Sequence, residues 1–225
     1  MDYACNEELA EETGIHIGDG SMNVYRGHNG PCYTVACHHI DDKEYVDSVI
    51  LPLIKSVYGA SPKPRAWSRG TYGFRIRSAK IIRFKHDVLG LPLGKKTDIT
   101  IPDCIAQNPR LMKACIRGIA DTDGSINLEP RKGGCYPRLF ITNTSERLIL
   151  QIRTFLEHEG FRVQYWSHPQ KDWLCIHKIA VNGRAMLTHW MNHIGFHNPK
   201  HIRKARGCEG IVYKLEENFP ITVPP

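Results

Sequence analysis

Two carboxylates stand where this chain could do chemistry. Asp19 and Asp123 open matching pentapeptides, Asp19-Gly20-Ser21-Met22-Asn23 and Asp123-Gly124-Ser125-Ile126-Asn127, 104 residues apart and differing by one apolar exchange. One Asp-Gly pair is a common turn, but its repetition within matching segments marks a duplicated unit. Each copy follows two small residues four apart, Ala10 and Gly14 in the first, Ala114 and Gly118 in the second. Residues at that spacing share a helix face, so two helices can approach closely there and bring Asp19 and Asp123 together. Like charges held near each other and near two helix C-termini call for a cation between them. Oxygen ligands with water completing the shell suit Mg2+.

Those carboxylates need elements to hold them. Asn6 is a good N-cap, Glu7 and Glu8 favour a first turn, and Leu9, Ala10, Gly14 and Ile17 recur at helical spacing, which predicts a helix over 6–18. Strands follow over 21–27 and 32–38, joined by a turn-rich cluster; Met22 and Val24 are expected to face a core, Asn23 and Tyr25 to face away. A helical face runs from Asp41 to Tyr58 and stops at Gly59, with Pro52 as a kink. A hairpin over 65–78, a short helix over 79–89 and a Pro- and Gly-bearing stretch to Asn108 complete the first half. The order then returns: a helix over 109–121, strands over 125–131 and 137–143, a helix over 145–159, strands over 161–168 and 173–180, and a helix over 183–194. Each half reads αββαββα, an α+β class with antiparallel sheets covered on one face by helices and open on the other. The expected division is 1–96, a linker over 97–108, 109–204, and a tail over 205–225 with no counterpart in the first half.

The chain has 225 residues, 30 Lys+Arg against 23 Asp+Glu, and a net charge of +7. That excess points to a polyanionic partner such as nucleic acid, or to a basic protein kept soluble by its charge. Eight cysteines form no CxxC pair in a chain large enough to fold without staples, and the acidic N-terminus carries no apolar signal segment, so an intracellular, cytoplasmic (or organellar), reducing setting is expected. No apolar run reaches the roughly 18 residues of a membrane span. His189, His193, His197 and His201 are spaced by four, but Gly195 and Pro199 interrupt them and no acid or cysteine completes a zinc set.

Ile116-Arg117-Gly118-Ile119-Ala120-Asp121-Thr122-Asp123-Gly124 closely resembles the LAGLIDADG motif, and Glu12-Thr13-Gly14-Ile15-His16-Ile17-Gly18-Asp19-Gly20 is similar to a more divergent copy. With the doubled order over about 6–204, the chain resembles the monomeric, two-motif LAGLIDADG homing endonucleases of intron-encoded, archaeal-like type. The resemblance implies two pseudo-twofold-related αββαββα subdomains whose sheets form a DNA-binding saddle. It implies divalent metal bound by Asp19 and Asp123, Mg2+ with Mn2+ as substitute. It also implies hydrolysis of both strands of a long duplex target across a minor groove, leaving 3′ overhangs, the target being the joined exons at the insertion site. Such an ion lowers the pKa of a water and steadies the leaving 3′ oxygen. Ile17 stands where the second motif has Asp121, which separates the two halves. The family also places polar or basic groups around the metal: Asn143, Arg147 and Lys200 in the second half, His39 (or its neighbour His38), Lys43 and Lys96 in the first. Lys96 and Lys200 share the 104-residue offset of the aspartates.

Open strand faces would carry recognition, since a two-stranded ribbon fits the major groove and alternate side chains reach base edges. The residues expected there are Asn23, Tyr25, Arg65, Trp67, Arg69, Arg75 and Arg77 in one half. In the other they are Asn127, Glu129, Arg131, Arg138, Thr142, Arg162, Gln164 and His177. Lys200, Arg203, Lys204 and Arg206 add a basic cluster that either touches phosphates or is surface charge. Two other functions share this scaffold. One is an intron RNA maturase, alone or combined with cleavage, in which Trp67, Trp166 and Trp173 stack on unpaired bases; the other is a DNA-binding regulator without catalysis.

Overall fold

Asn6 starts the first helix: its side chain accepts the Leu9 N–H at 2.9 Å, and Glu7 and Glu8 put negative charge in the first turn, where unpaired N–H groups favour it. In the computed structural model, which describes residues 3–24, 30–67, 70–132, 134–169 and 175–208, this helix, α1, spans Glu7–Asp19. After it come β1 (Gly20–Val24), β2 (Pro31–His38), α2 (Lys43–Tyr45), a π-helical segment (Val46–Ile50), α3 (Leu51–Tyr58), β3 (Arg65–Trp67), β4 (Thr71–Ile76), α4 (Ala79–Arg83) and a second π-helical segment (Phe84–Val88). A short α5 (Asp103–Ala106) leads into α6 (Pro109–Asp123), β5 (Gly124–Arg131), β6 (Gly134–Asn143), α7 (Glu146–His158), β7 (Val163–His168), β8 (Ile176–Asn182), α8 (Arg184–His193) and α9 (Pro199–Arg206). Pro52 lies in the first turn of α3, directly after the wide π turn, where its missing N–H is tolerated.

Both sheets are antiparallel and four-stranded, with the same order, β1-β2-β4-β3 and β5-β6-β8-β7. Side chains alternate across each strand. Tyr33, Val35, Phe74, Leu139, Ile141, Ile179 and Val181 turn under the helices and are buried. Val24, expected to join them, is 59% exposed; it is the last residue of β1, opposite Pro31 at the end of the ladder.

α1 and α6 form the seam of the molecule, buried along most of their lengths. The small residues explain the approach. A methyl group at Gly14 would strike the Cys115 carbonyl oxygen, one at Gly118 the Glu11 carbonyl oxygen, and one at Gly18 the Thr122 hydroxyl. Ala10 and Ala114 are buried at the same seam. Polar contacts fix the alignment: Arg117 on α6 pairs with Glu11 on α1 at 3.0 Å, and His197 Nδ1 lies 2.6 Å from the same carboxylate.

The connection over 97–108 is packed rather than free. Ile99, Ile101 and Ile105 are buried, Ser145 donates to the Ile99 carbonyl at 2.7 Å, and Gln151 pairs with both backbone groups of Ile101 at 2.9 and 3.2 Å. α9 was not anticipated because Pro199 reads as a breaker; here it occupies the first turn, behind the N-cap Asn198, whose side chain accepts the Lys200 N–H at 3.1 Å. Cys135 and Cys208, 73 residues apart, meet sulfur to sulfur, a juxtaposition that sequence spacing does not show. Among the described residues no helix is long and apolar enough to cross a membrane.

Candidate active site

Asp19 and Asp123 end α1 and α6, and each is followed by a glycine that opens a strand. A Cβ built on Gly18 would lie 3.4 Å from the Asp123 carboxyl carbon, so the second carboxylate sits beside the last turn of the first motif helix. Burial raises both carboxyls above the ordinary range. Asp123 reaches about 6, with Asp19's charge adding to burial and the Asn143 hydrogen bond and Lys96 opposing them. At Asp19 the added negative neighbour is Asp42, opposed by a Cys37 hydrogen bond, Lys96 and Lys200.

The neighbours of the pair are specific. Asn143 donates through Nδ2 to Asp123 at 2.8 Å, while its own carbonyl accepts the Ser145 N–H at 2.9 Å. Cys37 is buried near the end of β2, where burial and the negative charge of Asp19 push its thiol up. Lys96 donates to the carbonyls of His16, Ile17 and Gly18 at 3.0, 2.7 and 2.6 Å, closing the C-terminus of α1. These bonds use all the ammonium's protons, so Lys96 acts on the carboxylates through its charge. Lys200 pairs with Asp42 at 2.6 Å and adds positive charge near Asp19. Asn198, fully buried, ties Asp42 at 2.8 Å to the Asp121 carbonyl at 2.9 Å and so joins the halves.

Asp121 is fully buried; its Oδ2 accepts the His197 N–H at 2.8 Å and its Oδ1 has no partner. Burial pushes its carboxyl up to about 7. Four expected neighbours of the pair have their described contacts elsewhere. Arg147 is exposed and 3.3 Å from Asp98, Lys43 pairs with Asp47 at 2.6 Å, His39 stacks on Tyr72 at 5.8 Å between ring centres, and His38 lies 3.2 Å from Asp41. Strand register explains the two histidines. Gly20 pairs with Val35 and Gly124 with Ile141, so the residues two further along are Cys37 and Asn143. Cys37 therefore stands where an Asn143 counterpart was sought at His38 or His39. Sequence reasoning missed Cys37, Asp42 and Asn198; strand parity counted from Gly20 is the signal that finds the first.

Register also sorts the open faces. Asn23, Arg65, Trp67 and Arg75 lie on the uncovered side of the first sheet, and Arg77 continues that alternation. The Arg65 and Arg75 guanidinium groups both lie against the Trp67 ring, at 5.4 and 5.3 Å from its centre. Tyr25 and Arg69 lie outside the described residues. On the second sheet Asn127, Glu129, Arg131, Arg138, Thr142 and Gln164 share the open side, and the exposed Arg162 precedes β7. Glu129 holds Arg138 at 2.7 Å and Arg131 at 3.3 Å. His177 corrects its expectation: it pairs with Asn143 in register, on the side of Ile141 and Ile179, and is 7% exposed, bonded to Tyr165 at 3.0 Å. The open position beside it belongs to Lys178, whose ammonium lies 3.8 Å over Phe140 and 5.8 Å from Trp166.

Two half-buried carboxylates with raised proton affinity, one held by the Asn143 amide and both near offset lysines, fit a hard divalent cation. Mg2+-like ions take one or two carboxylates and keep waters or bind phosphate oxygens for the rest. Among the described residues no group of three or more His, Cys, Asp and Glu side chains is arranged to hold a metal. The spaced histidines go to separate partners, His189 to the Glu159 carbonyl at 2.8 Å and His197 to Glu11 at 2.6 Å.

Residues 110–195 match the family model of the LAGLIDADG-like domain. No curated protein matches the chain. Among solved structures, that of I-DmoI in complex with DNA and Mn has 19% sequence identity, covers 85% of this chain and 98% of its own, and has a TM-score of 0.59. I-DmoI in complex with DNA and Ca has 17% identity, covers 89% and 97%, and has a TM-score of 0.60. The LAGLIDADG meganuclease I-AabMI bound to uncleaved DNA has 11% identity, covers 88% and 87%, and has a TM-score of 0.55. The two antiparallel sheets and the paired motif helices are the two-domain fold of these proteins.

Proposed function

We propose that this two-motif LAGLIDADG protein is a site-specific endonuclease that hydrolyses both strands of a DNA duplex with a divalent metal ion. One observation carries the reading: Asp19 and Asp123 end two helices in backbone contact, under sheets whose open faces bear Arg65, Arg75, Arg131 and Arg138. Relatives of the same fold hold DNA with Mn or Ca. Mg2+, with Mn2+ as substitute, is the ion the carboxylate pair would take; bound there it supplies charge for a phosphate and an activated water at neutral pH.

The chain's own residues prepare that chemistry. Asn143 holds the Asp123 carboxylate from the end of β6. Lys96 cancels part of the negative potential that two helix C-termini and two carboxylates would build up. Arginines on the open faces neutralise phosphates and set position, while Asn23, Asn127, Thr142 and Gln164 read base edges. The proposed product carries 3′ overhangs from cleavage across a minor groove, and the proposed target is the joined-exon sequence around the host intron, cut by a monomer.

The test incubates the protein with Mg2+ and a plasmid library carrying randomised and joined-exon targets, and sequences the ends formed. Cuts in both strands at one site, with 3′ overhangs, support the reading. Protein that binds the site but cuts nothing across salt and temperature, or prefers intron RNA to duplex, overturns it.

A further inference from the structure

We propose that Cys5 and Cys104 form a thiol–disulfide modification site, where an oxidant joins the two sulfurs into a clip that closes the first half of the chain on itself. The clip stands apart from the carboxylates and does not depend on the endonuclease reading.

The fold brings the two thiols to one place from opposite ends of the first half. Cys5 directly precedes Asn6, the N-cap of α1, and Cys104 lies in α5, four residues before Asn108, the N-cap of α6. They are 99 positions apart in sequence, yet the Cys5 sulfur is 3.6 Å from the Cys104 carbonyl oxygen. Both cysteines are free and exposed, whereas Cys32, Cys37 and Cys115 are buried away from any dissolved oxidant.

The chain on either side is held in place. Glu7 in the first turn of α1 meets Arg110 in the first turn of α6 at 2.6 Å. Ile105, beside Cys104, is buried, as are Ile99 and Ile101 earlier in the connection. The motion the bond asks for is therefore rotation of two exposed side chains. Once formed, it ties together the starts of both motif helices, about 20 Å along α1 from Asp19. It also closes a loop that contains nearly all of the first half, which restricts the unfolded chain.

The chemistry needs an oxidant, and a small disulfide such as oxidised glutathione is one. One protein thiolate attacks it and releases a small thiol; the second protein thiolate attacks the resulting mixed disulfide and releases the other. The two protein thiols give up two protons and two electrons, which leave as two small thiols, and one sulfur–sulfur bond replaces another. Whichever thiol attacks first, Cys5 must at some point attack as a thiolate. Burial and the adjoining Cys104 side chain push its thiol up to about 11, so closure is slow at neutral pH and gains speed in mild alkali.

The experiment incubates the full chain near pH 9 with oxidised or reduced glutathione, then reads disulfide-linked peptides by mass spectrometry without reduction and follows thermal unfolding. The parent is compared with Cys5→Ser, Cys104→Ser and, as a control on the other cysteine contact, Cys135→Ser. In the oxidised parent the peptides bearing Cys5 and Cys104 should be joined, and unfolding should move up by roughly 5–15 °C, the effect of closing a loop of this length. The shift should vanish on reduction and in Cys5→Ser and Cys104→Ser, and persist in Cys135→Ser. Glutathione left on Cys5 or Cys104, a bond from Cys104 to Cys115 instead, or a thermal shift that survives either serine substitution overturns the proposal.

Discussion

Lys85 and Glu12 meet at 2.6 Å with neither side chain exposed, inside the first half of the molecule. Tyr33 and Tyr58 each donate to the same carboxylate at 2.6 Å, and the ammonium also lies 4.5 Å over the Tyr33 ring. Burial lowers the lysine's proton affinity and Glu12 restores part of it. Removing one partner of such a pair strands a buried charge, at a loss of about 3–5 kcal/mol. Lys85→Met is therefore expected to unfold at much lower denaturant, and Glu12→Gln combined with Lys85→Met to recover much of the loss. Chemical denaturation of the parent, of Lys85→Met and Glu12→Gln singly and of the double variant measures the coupling directly.

The motif-helix seam tolerates no added carbon. In both Gly14→Ala and Gly118→Ala the new methyl meets a backbone carbonyl, which cannot rotate away as a side chain would. Overpacking of this kind costs about 1–3 kcal/mol. Ala10→Gly, which removes a buried methyl without a clash, should cost about 1 kcal/mol through helix propensity. Thermal unfolding that ranks the three substitutions equally would contradict the backbone contact.

Asp19→Asn and Asp123→Asn are expected to abolish double-strand cleavage while leaving target binding within about threefold of the parent, because phosphate contacts supply most of the affinity. Calorimetric titration of metal into the apoprotein should show weakened binding in each variant and none in the double variant.

Stability should respond to pH with a defined sign at Asp123. Its carboxyl is raised in the folded state from 3.8 to about 6, so the fold binds protons more tightly than the unfolded chain. The folded state therefore loses stability as pH rises through that window, and the loss is complete above about 6. Asp123→Asn removes this penalty. In metal-free protein at pH 8 the variant should be more stable by ~1–3 kcal/mol, the gain disappearing near pH 4. Metal affinity of the parent should fall as pH drops through about 6, since proton and cation compete for the same oxygens.

Salt dependence separates phosphate contacts from base contacts. Arg65→Ala and Arg75→Ala each release one guanidinium from the Trp67 stack on the open face. Each should lower the slope of log affinity against log salt by about 1 if it neutralises one phosphate, with little change in target preference. His177→Ala, buried on the covered side, should leave the slope unchanged and lower stability instead.

What could be read from the sequence was what repeats at a fixed offset or alternates with a fixed period. Asp19 and Asp123 were found through their duplicated surroundings, the motif-helix seam through its small residues, and Arg65, Trp67, Arg75, Asn127 and Arg138 through strand parity. Offsets that drift between the halves were not legible. The aspartates lie 104 residues apart but Cys37 and Asn143 lie 106 apart, so a fixed offset pointed to His39. His177 failed for a related reason, a strand that starts at Ile176 rather than 173, which left the parity of its side chains unread. Nor could Lys96 be seen as a helix cap, because its acceptors lie 78 to 80 positions earlier in the chain.

Along the seam between α1 and α6, main chain touches main chain at Gly14, Gly118 and their partners. The gap between the two carboxylates is thereby set by main-chain atoms in contact, which makes the seam a ruler. Substitutions on the open sheet faces therefore leave the spacing of Asp19 and Asp123 as the helix seam sets it.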